Sequence, residues 1–236
     1  MSKKNYSILI HYSEIALKLN NRPYFERIFI KNIKTHIADL KYSKIKLLQA
    51  RVFIHDVKPR DWDCYKSKLS KVMGMQNATL MIEVNTNLDL IKDAAAQIID
   101  KIEFKNFRIT AKRQFKQFKY NSNDISVIVG EYVRNISNKP VNLNFPDMNI
   151  IIEILKDKTY VGVDKIVGFS GMPARCQEQA LCLLSSGIDS PVASFEMIKR
   201  GIKLDFIHFH SYPAINKQSI NNVKKIMEVL LQYQLK

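Results

Sequence analysis

Cysteine, glycine, proline and acidic side chains are all scarce in this 236-residue chain, and each shortage narrows what it can be. The three cysteines, Cys64, Cys176 and Cys182, form no Cys-x-x-Cys pair. Neither a disulfide framework nor a zinc site is indicated, and the three read as structural thiols. No apolar run approaches the roughly 18 residues of a membrane span, and the start MSKKNYSILIHYSE lacks the apolar stretch and cleavage site of a secretory signal. The expectation is a soluble cytoplasmic protein with no membrane partner. Asp and Glu number 22 against 37 Lys and Arg, a formal net charge of +15. That excess favours a polyanionic partner, nucleic acid or an acidic membrane, and charge alone does not choose between them. With 46% hydrophobic residues the chain has enough apolar material for packed cores, and its length suits one to three domains.

Periodicity orders the chain. Tyr6–His11 is a short apolar run suited to a strand, and Phe25, Ile28, Phe29, Ile33 and Ile37 follow at helical spacing. Strands over Ile45–Gln49 and Val52–Ile54, a helix from Asp61 and a strand over Thr79–Val84 complete the order βαββαβ of a ferredoxin-like unit. A second α/β module comprises a helix through Ile91–Ile102, a strand over Phe107–Ala111, a helix from Asp124, and strands over Asn149–Leu155 and Thr159–Val163. Gly168-Phe-Ser-Gly-Met-Pro173 gathers glycine and proline from a chain with seven of each, and reads as a linker. Beyond it, strand Ala180–Leu184, helix Pro191–Arg200 and strand Leu204–His210 form one βαβ crossover, the start of a parallel sheet.

Two segments carry chemistry. Leu183-Leu-Ser-Ser-Gly-Ile-Asp-Ser-Pro191 runs from a buried strand into a helix N-terminus, where unpaired N–H groups and the positive dipole end suit a phosphate. No Lys follows the glycine, so it is not a Walker A loop. Phe104–Tyr120 holds six basic residues and five aromatics with no acid. It suits a single-stranded RNA end, or equally a strand with core aromatics and a solvated charged face.

The first segment resembles the Ser-Gly-Gly-x-Asp-Ser pyrophosphate loop of the N-type ATP pyrophosphatases. That resemblance implies ATP and Mg²⁺, with hydroxyls of Ser185 and Ser190 on phosphate oxygens, Gly187 allowing close approach, and Asp189 as the catalytic residue that positions the loop or the ion. Ser186 stands where the pattern has its first glycine; a positive φ there would cost serine about 1 kcal/mol. Leu183, Leu184, His208 and Phe209 match positions that line the adenine pocket. For His208 alone, a buried imidazole satisfied by backbone is the competing reading. Phe107-Arg-Ile-Thr-Ala-Lys-Arg113, with Val141-Asn-Leu-Asn-Phe-Pro-Asp147 and Val161-Gly162, resembles a THUMP domain. This implies tRNA as partner, gripped by Arg108, Lys112, Arg113, Lys116 and Lys119.

Ile8-Leu-Ile-His-Tyr-Ser-Glu-Ile-Ala-Leu-Lys18 with Asn21-Arg22 is similar to the opening of the 4-thiouridine synthetases, although Glu14 and Lys18 at i,i+4 also suit a helical ion pair. The succession of these signals resembles that family along essentially the whole chain. It implies a ferredoxin-like domain over 1–60, with its end placed between 60 and 75, a THUMP domain over 61–167, a linker over 168–176 and a shortened pyrophosphate-loop domain over 177–236. The reaction implied is ATP-dependent adenylation of uracil at tRNA position 8 and displacement of AMP by a sulfur donor, a persulfide carrier such as a cysteine desulfurase or sulfide. Sulfur supply for the thiamine thiazole and a homodimer are also implied. About 50 residues follow the loop, too few for a typical parallel-sheet domain, so a fragment or a short form is expected. A tRNA-binding module with a vestigial nucleotide loop is the alternative.

Overall fold

The computed structural model describes residues 5–211 and 217–235, the side chains of Asp164 and Lys217 excepted. The first unit follows the expected order: β1 (Asn5–Tyr12), α1 (Arg22–His36), β2 (Lys44–Leu48), β3 (Arg51–His55), α2 (Trp62–Leu69) and β4 (Met75–Asn85). Pro23 sits in the first turn of α1, where its missing N–H costs nothing. The second unit comprises α3 (Leu88–Ile99), β5 (Phe107–Arg113), α4 (Ser122–Ser137), β6 (Met148–Ile154) and β7 (Lys158–Val167). Asn87 starts α3 by accepting from the N–H groups of Asp89 and Leu90. At α4, Asn121 and Asp124 form a reciprocal capping box, and Asn138 ends the helix in the left-handed conformation that asparagine tolerates.

The two units are not separate layers. Their seven strands form one sheet in the order β2-β3-β1-β4-β7-β6-β5, joined where β4 and β7 run antiparallel. The seam carries a register shift between Thr79 and Met81, opposite Gly162. A Cβ on Gly162 would lie 2.3 Å from the Leu80 carbonyl oxygen, so the close approach of β7 to β4 requires glycine there.

The helices cover one face. Ile8, Ile10, Phe29, Ile33, Trp62, Tyr65 and Leu69 fill the first core, so α2 packs with the first unit. Ile91, Ala95, Phe107, Val129, Ile150 and Ile152 fill the second. Successive strand side chains point to opposite faces, which puts Leu9, Phe53, Met81, Leu155 and Tyr160 in a small cluster on the helix-free side.

The third unit comprises β8 (Gln179–Leu183), α5 (Asp189–Lys199), β9 (Lys203–Ile207) and α6 (Lys217–Gln234), with β8 and β9 parallel as the crossover predicts. The long α6 was outside the sequence reading. Its Gln234 side chain, 4% exposed, accepts from the Leu204 N–H and donates to the Leu204 carbonyl at 2.7 Å each, satisfying a strand edge. The segment expected as a linker is a packed strap: Met172, Ala174 and Cys176 are buried, the Met172 N–H donates to the Lys199 carbonyl at 2.8 Å, and Gln177 N–H to that of Gly201 at 3.0 Å.

Candidate nucleotide and nucleic-acid site

The Ser185–Ser190 loop lies between the end of β8 and the start of α5, where a phosphate would meet free N–H groups. Two hydroxyls close it. Ser190 Oγ accepts from the Ser185 N–H at 2.9 Å and lies 2.9 Å from Ser185 Oγ, and the Gly187 N–H points to Ser185 Oγ at 3.3 Å. The loop is solvent-open, and only Ser190 is partly covered. Ser186 is not among the residues with positive φ, so the strain attached to that conformation does not arise. Gly187 is not in the left-handed region either, and an added Cβ would meet only Ser185 Oγ at 3.4 Å. Asp189 opens α5, next to the dipole end that a phosphate would share with it. Ser219 of α6 reaches back to Ser186 Oγ at 3.3 Å, a contact invisible in the local sequence.

The four adenine-pocket candidates gather at the carboxyl ends of β8 and β9. Leu184 is buried in the third core, while Leu183 and Phe209 are 63% and 74% exposed and free to meet a flat ring. The His208 Nδ1 is 2.8 Å from the Leu184 carbonyl, which assigns the ring proton to that nitrogen; Nε2 is buried without a hydrogen-bond partner among the described residues. His210, which the sequence reading passed over, stacks on His208 with ring centroids 6.3 Å apart, and both its ring nitrogens are buried and without a hydrogen-bond partner among the described residues. A second histidine two residues along the same strand end was the available signal.

The basic candidates lie elsewhere, on the sheet edge β5 and the loop after it. Lys112, Lys116 and Lys119 are exposed. Arg108 donates to the Leu143 carbonyl at 2.8 Å, and its Nε is buried without a hydrogen-bond partner among the described residues. Arg113 is engaged internally, donating to the carbonyls of Lys116 and Phe118 at 3.0 Å each. Phe104 and Phe107 belong to the second core, and Phe118 and Tyr120 pack against it, so most aromatics of that stretch stabilise the fold. The exposed ring of this region is Phe145, 85% exposed beside Leu143 at 65%, in a loop the sequence reading had not singled out for contact.

Lys112 Nζ stands 3.9 Å from Glu153, which is itself 1% exposed and held by Arg51 Nε at 2.6 Å and His11 Nε2 at 2.9 Å. Burial pushes the Glu153 carboxyl up, but His11, Arg51 and Lys112 outweigh it and hold the group below the usual carboxylate range. Burial pushes the Cys176 thiol up to about 11, which keeps it unreactive.

Comparison with known proteins places these features together. Residues 7–79 match the ThiI ferredoxin-like domain, 85–164 the THUMP domain, and 175–236 the family described as thiamine biosynthesis protein (ThiI). A probable tRNA sulfurtransferase of Thermoanaerobacter pseudethanolicus is 37% identical over 96% of this chain and 59% of its own length. A protein of the same description from Listeria welshimeri is 31% identical over 96% and 57%. The chain therefore spans about three-fifths of the length of these relatives. Among solved structures, PH1313 of Pyrococcus horikoshii superposes with a TM-score of 0.81 at 26% identity, covering 97% of this chain and 76% of that one. A 4-thiouridine synthetase in complex with RNA and ATP superposes with a TM-score of 0.77 at 26% identity, covering 98% and 59%. With the ferredoxin-like, THUMP and pyrophosphate-loop parts present in the same order, the chain belongs to the ThiI family.

Proposed function

We propose that this chain is the RNA-binding and nucleotide-binding front of an ATP-dependent tRNA uracil 4-sulfurtransferase. The observation that carries the reading is one arrangement. A paired-serine loop at a helix N-terminus, set at the carboxyl ends of parallel strands, shares a chain with the basic edge of a THUMP sheet. A neighbouring fold binds RNA and ATP together.

In this reading the β5 edge holds the acceptor end of tRNA, and ATP lies over the Ser185–Ser190 loop with its adenine between Leu183 and Phe209. The C4 oxygen of the uracil at position 8 attacks the α-phosphorus and pyrophosphate leaves. Sulfide then displaces AMP directly, or a persulfide does so to leave a disulfide-linked adduct whose S–S bond a second thiol cleaves, forming a disulfide with the donor sulfur. In either case AMP carries the former C4 oxygen away. Ser185 and Ser190 would orient phosphate oxygens, and the loop N–H groups would receive the charge that develops. No group of three or more His, Cys, Asp or Glu side chains converges among the described residues. A Mg²⁺ ion would therefore be held through the phosphates and Asp189, where it neutralises pyrophosphate charge. The relatives' description as a thiamine biosynthesis family supports sulfur supply to a thiazole as a further use of the same chemistry. A cytoplasmic setting and a homodimer belong to the same reading; no helix among the described residues is long and apolar enough to cross a membrane.

The test is pyrophosphate release by the purified chain with ATP and unmodified tRNA, comparing wild type with Asp189→Ala. Release that needs both tRNA and Asp189 supports the reading. Tight tRNA binding without release favours the second reading, a tRNA-holding module with a vestigial nucleotide loop.

A further inference from the structure

The opening segment from Glu14 to Arg22, marked in the sequence by resemblance alone, receives a physical role from its contacts. Residues Glu14–Leu17 form a 3₁₀ turn, and the Glu14–Lys18 helical pair is replaced by other partners. Glu14 Oε2 accepts from Arg200 Nη1 at 2.6 Å, at the C-terminal end of α5. Ile15 is fully buried in the first core. Lys18 lies 5.5 Å over the Phe25 ring, and Arg22 donates to Glu26 at 2.7 Å and to Tyr12 Oη at 2.8 Å.

Around Glu14 and Arg200 the contact is tight. Asn32, 6% exposed on α1, donates to the Ala174 carbonyl at 2.9 Å, and the Gly74 N–H donates to the Ser170 carbonyl at 2.8 Å. Gly171, with φ +76°, touches the end of α5 so closely that a Cβ there would lie 2.3 Å from the Lys199 carbonyl oxygen. Gly201, with φ +88°, faces Cys176 Sγ at 2.4 Å from its own Cβ position. Met73 and Ala174 enter the third core beside Leu184 and Ile198. The first unit therefore grips the C-terminal end of the helix whose N-terminal end bears the nucleotide loop.

We propose that Glu14, Arg200 and the Gly171 contact are positioning elements: they seat the C-terminal end of α5 on the RNA-holding sheet, so that the Ser185–Ser190 loop, one helix length of about 16 Å away, keeps a fixed place relative to it. The purpose of the seat rests on the proposed function; its existence does not. An exposed ion pair, screened by solvent, adds little to stability. Glu14 and Arg200 therefore set the angle of a joint whose closeness comes from backbone hydrogen bonds and two glycines. Small angular errors matter, because misplacing reacting groups by about 1 Å can cost about 100-fold in rate.

Spin labels at Asn123 on α4 and Glu228 on α6 report the distance between the units in the full chain. Wild type should give one narrow distribution, Glu14→Arg a broadened or displaced one, and the exchange Glu14→Arg with Arg200→Glu a narrow one again. Gly171→Ala should displace the distance while leaving the far-ultraviolet circular dichroism unchanged; should it fail to fold, the charge exchange decides alone. In parallel, tRNA-dependent pyrophosphate release in Glu14→Arg should lose about tenfold in kcat with tRNA affinity unchanged, and regain it in the exchange. A distribution in Glu14→Arg as narrow as wild type and unshifted, or no recovery in the exchange, overturns the proposal. Absence of pyrophosphate release in wild type would count against the sulfurtransferase reading, while the distance measurement still decides the seat.

Discussion

Arg51 on β3 and Glu153 on β6 meet through a 2.6 Å ion pair although three strands, β1, β4 and β7, lie between their own. In a flat sheet four strand spacings amount to about 19 Å, beyond the combined reach of the two side chains. The sheet therefore curls around its helix-free face, and the pair ties the ferredoxin-like unit to the THUMP unit across the hollow. His11 on β1 joins them, its Nδ1 bonded to Asn77 at 3.0 Å.

Glu153→Gln leaves the buried Arg51 and the half-buried His11 without their anion, and stability should fall by about 3 kcal/mol. The urea midpoint measures it. A loss below about 1 kcal/mol would mean the curl stands without the pair. Because the folded-state pKa of Glu153 is depressed, its contribution is present above the ordinary carboxylate range and is lost as pH falls through the lowered value.

Lys112 and Arg113 should separate under mutation although they are neighbours in the sequence. Lys112→Gln should weaken tRNA binding and reduce the slope of affinity against salt by about one ion, with only a small fall in Tm, because Lys112 is exposed and stands 3.9 Å from Glu153. Arg113→Ala should lower Tm, since its guanidinium holds the carbonyls of Lys116 and Phe118 and so shapes the loop. Equal effects on salt slope and Tm in both variants would remove this division of labour.

His36 provides a pH dependence. Burial, reinforced by Lys71 and Lys68, lowers its pKa from 6.5 to about 4. Between those values the unfolded chain binds a proton that the folded chain refuses, so stability should fall on acidification through this window. His36→Gln should flatten that part of the stability profile. An unchanged slope would assign the acid sensitivity to other groups.

Much of the fold was legible because it is locally encoded. The helical spacing of Ile91, Ala94, Ala95 and Ile98 and the alternation of Phe107-Arg-Ile-Thr-Ala111 appear directly as α3 and β5. The union of two modules in one sheet was not, because β4 and β7 pair residues such as Glu83 and Tyr160 that no local pattern connects. Phe104 and Phe107 looked equally like base-stacking rings and core rings; only the packing of α3 and α4 over β5 decides for the core. At the nucleotide loop the motif located the serines, but His210 and Ser219 reach the site from the next strand end and from α6.

Ser186→Gly restores the family's first glycine and should change ATP affinity by less than about threefold, because Ser186 is not held in the left-handed conformation that glycine would relieve. Equilibrium binding of ATP measures this. A gain of tenfold or more, about 1.4 kcal/mol, would show that the serine obstructs the phosphates.

The central claim is that uracil oxygen leaves on the nucleotide. Supplying the chain with ATP, a persulfide donor and tRNA labelled with oxygen-18 at C4 of uracil 8, and weighing the AMP, tests it most directly. The account predicts AMP heavier by the transferred oxygen, with 4-thiouridine formed in equal amount. AMP without the label, or no AMP at all, would contradict it.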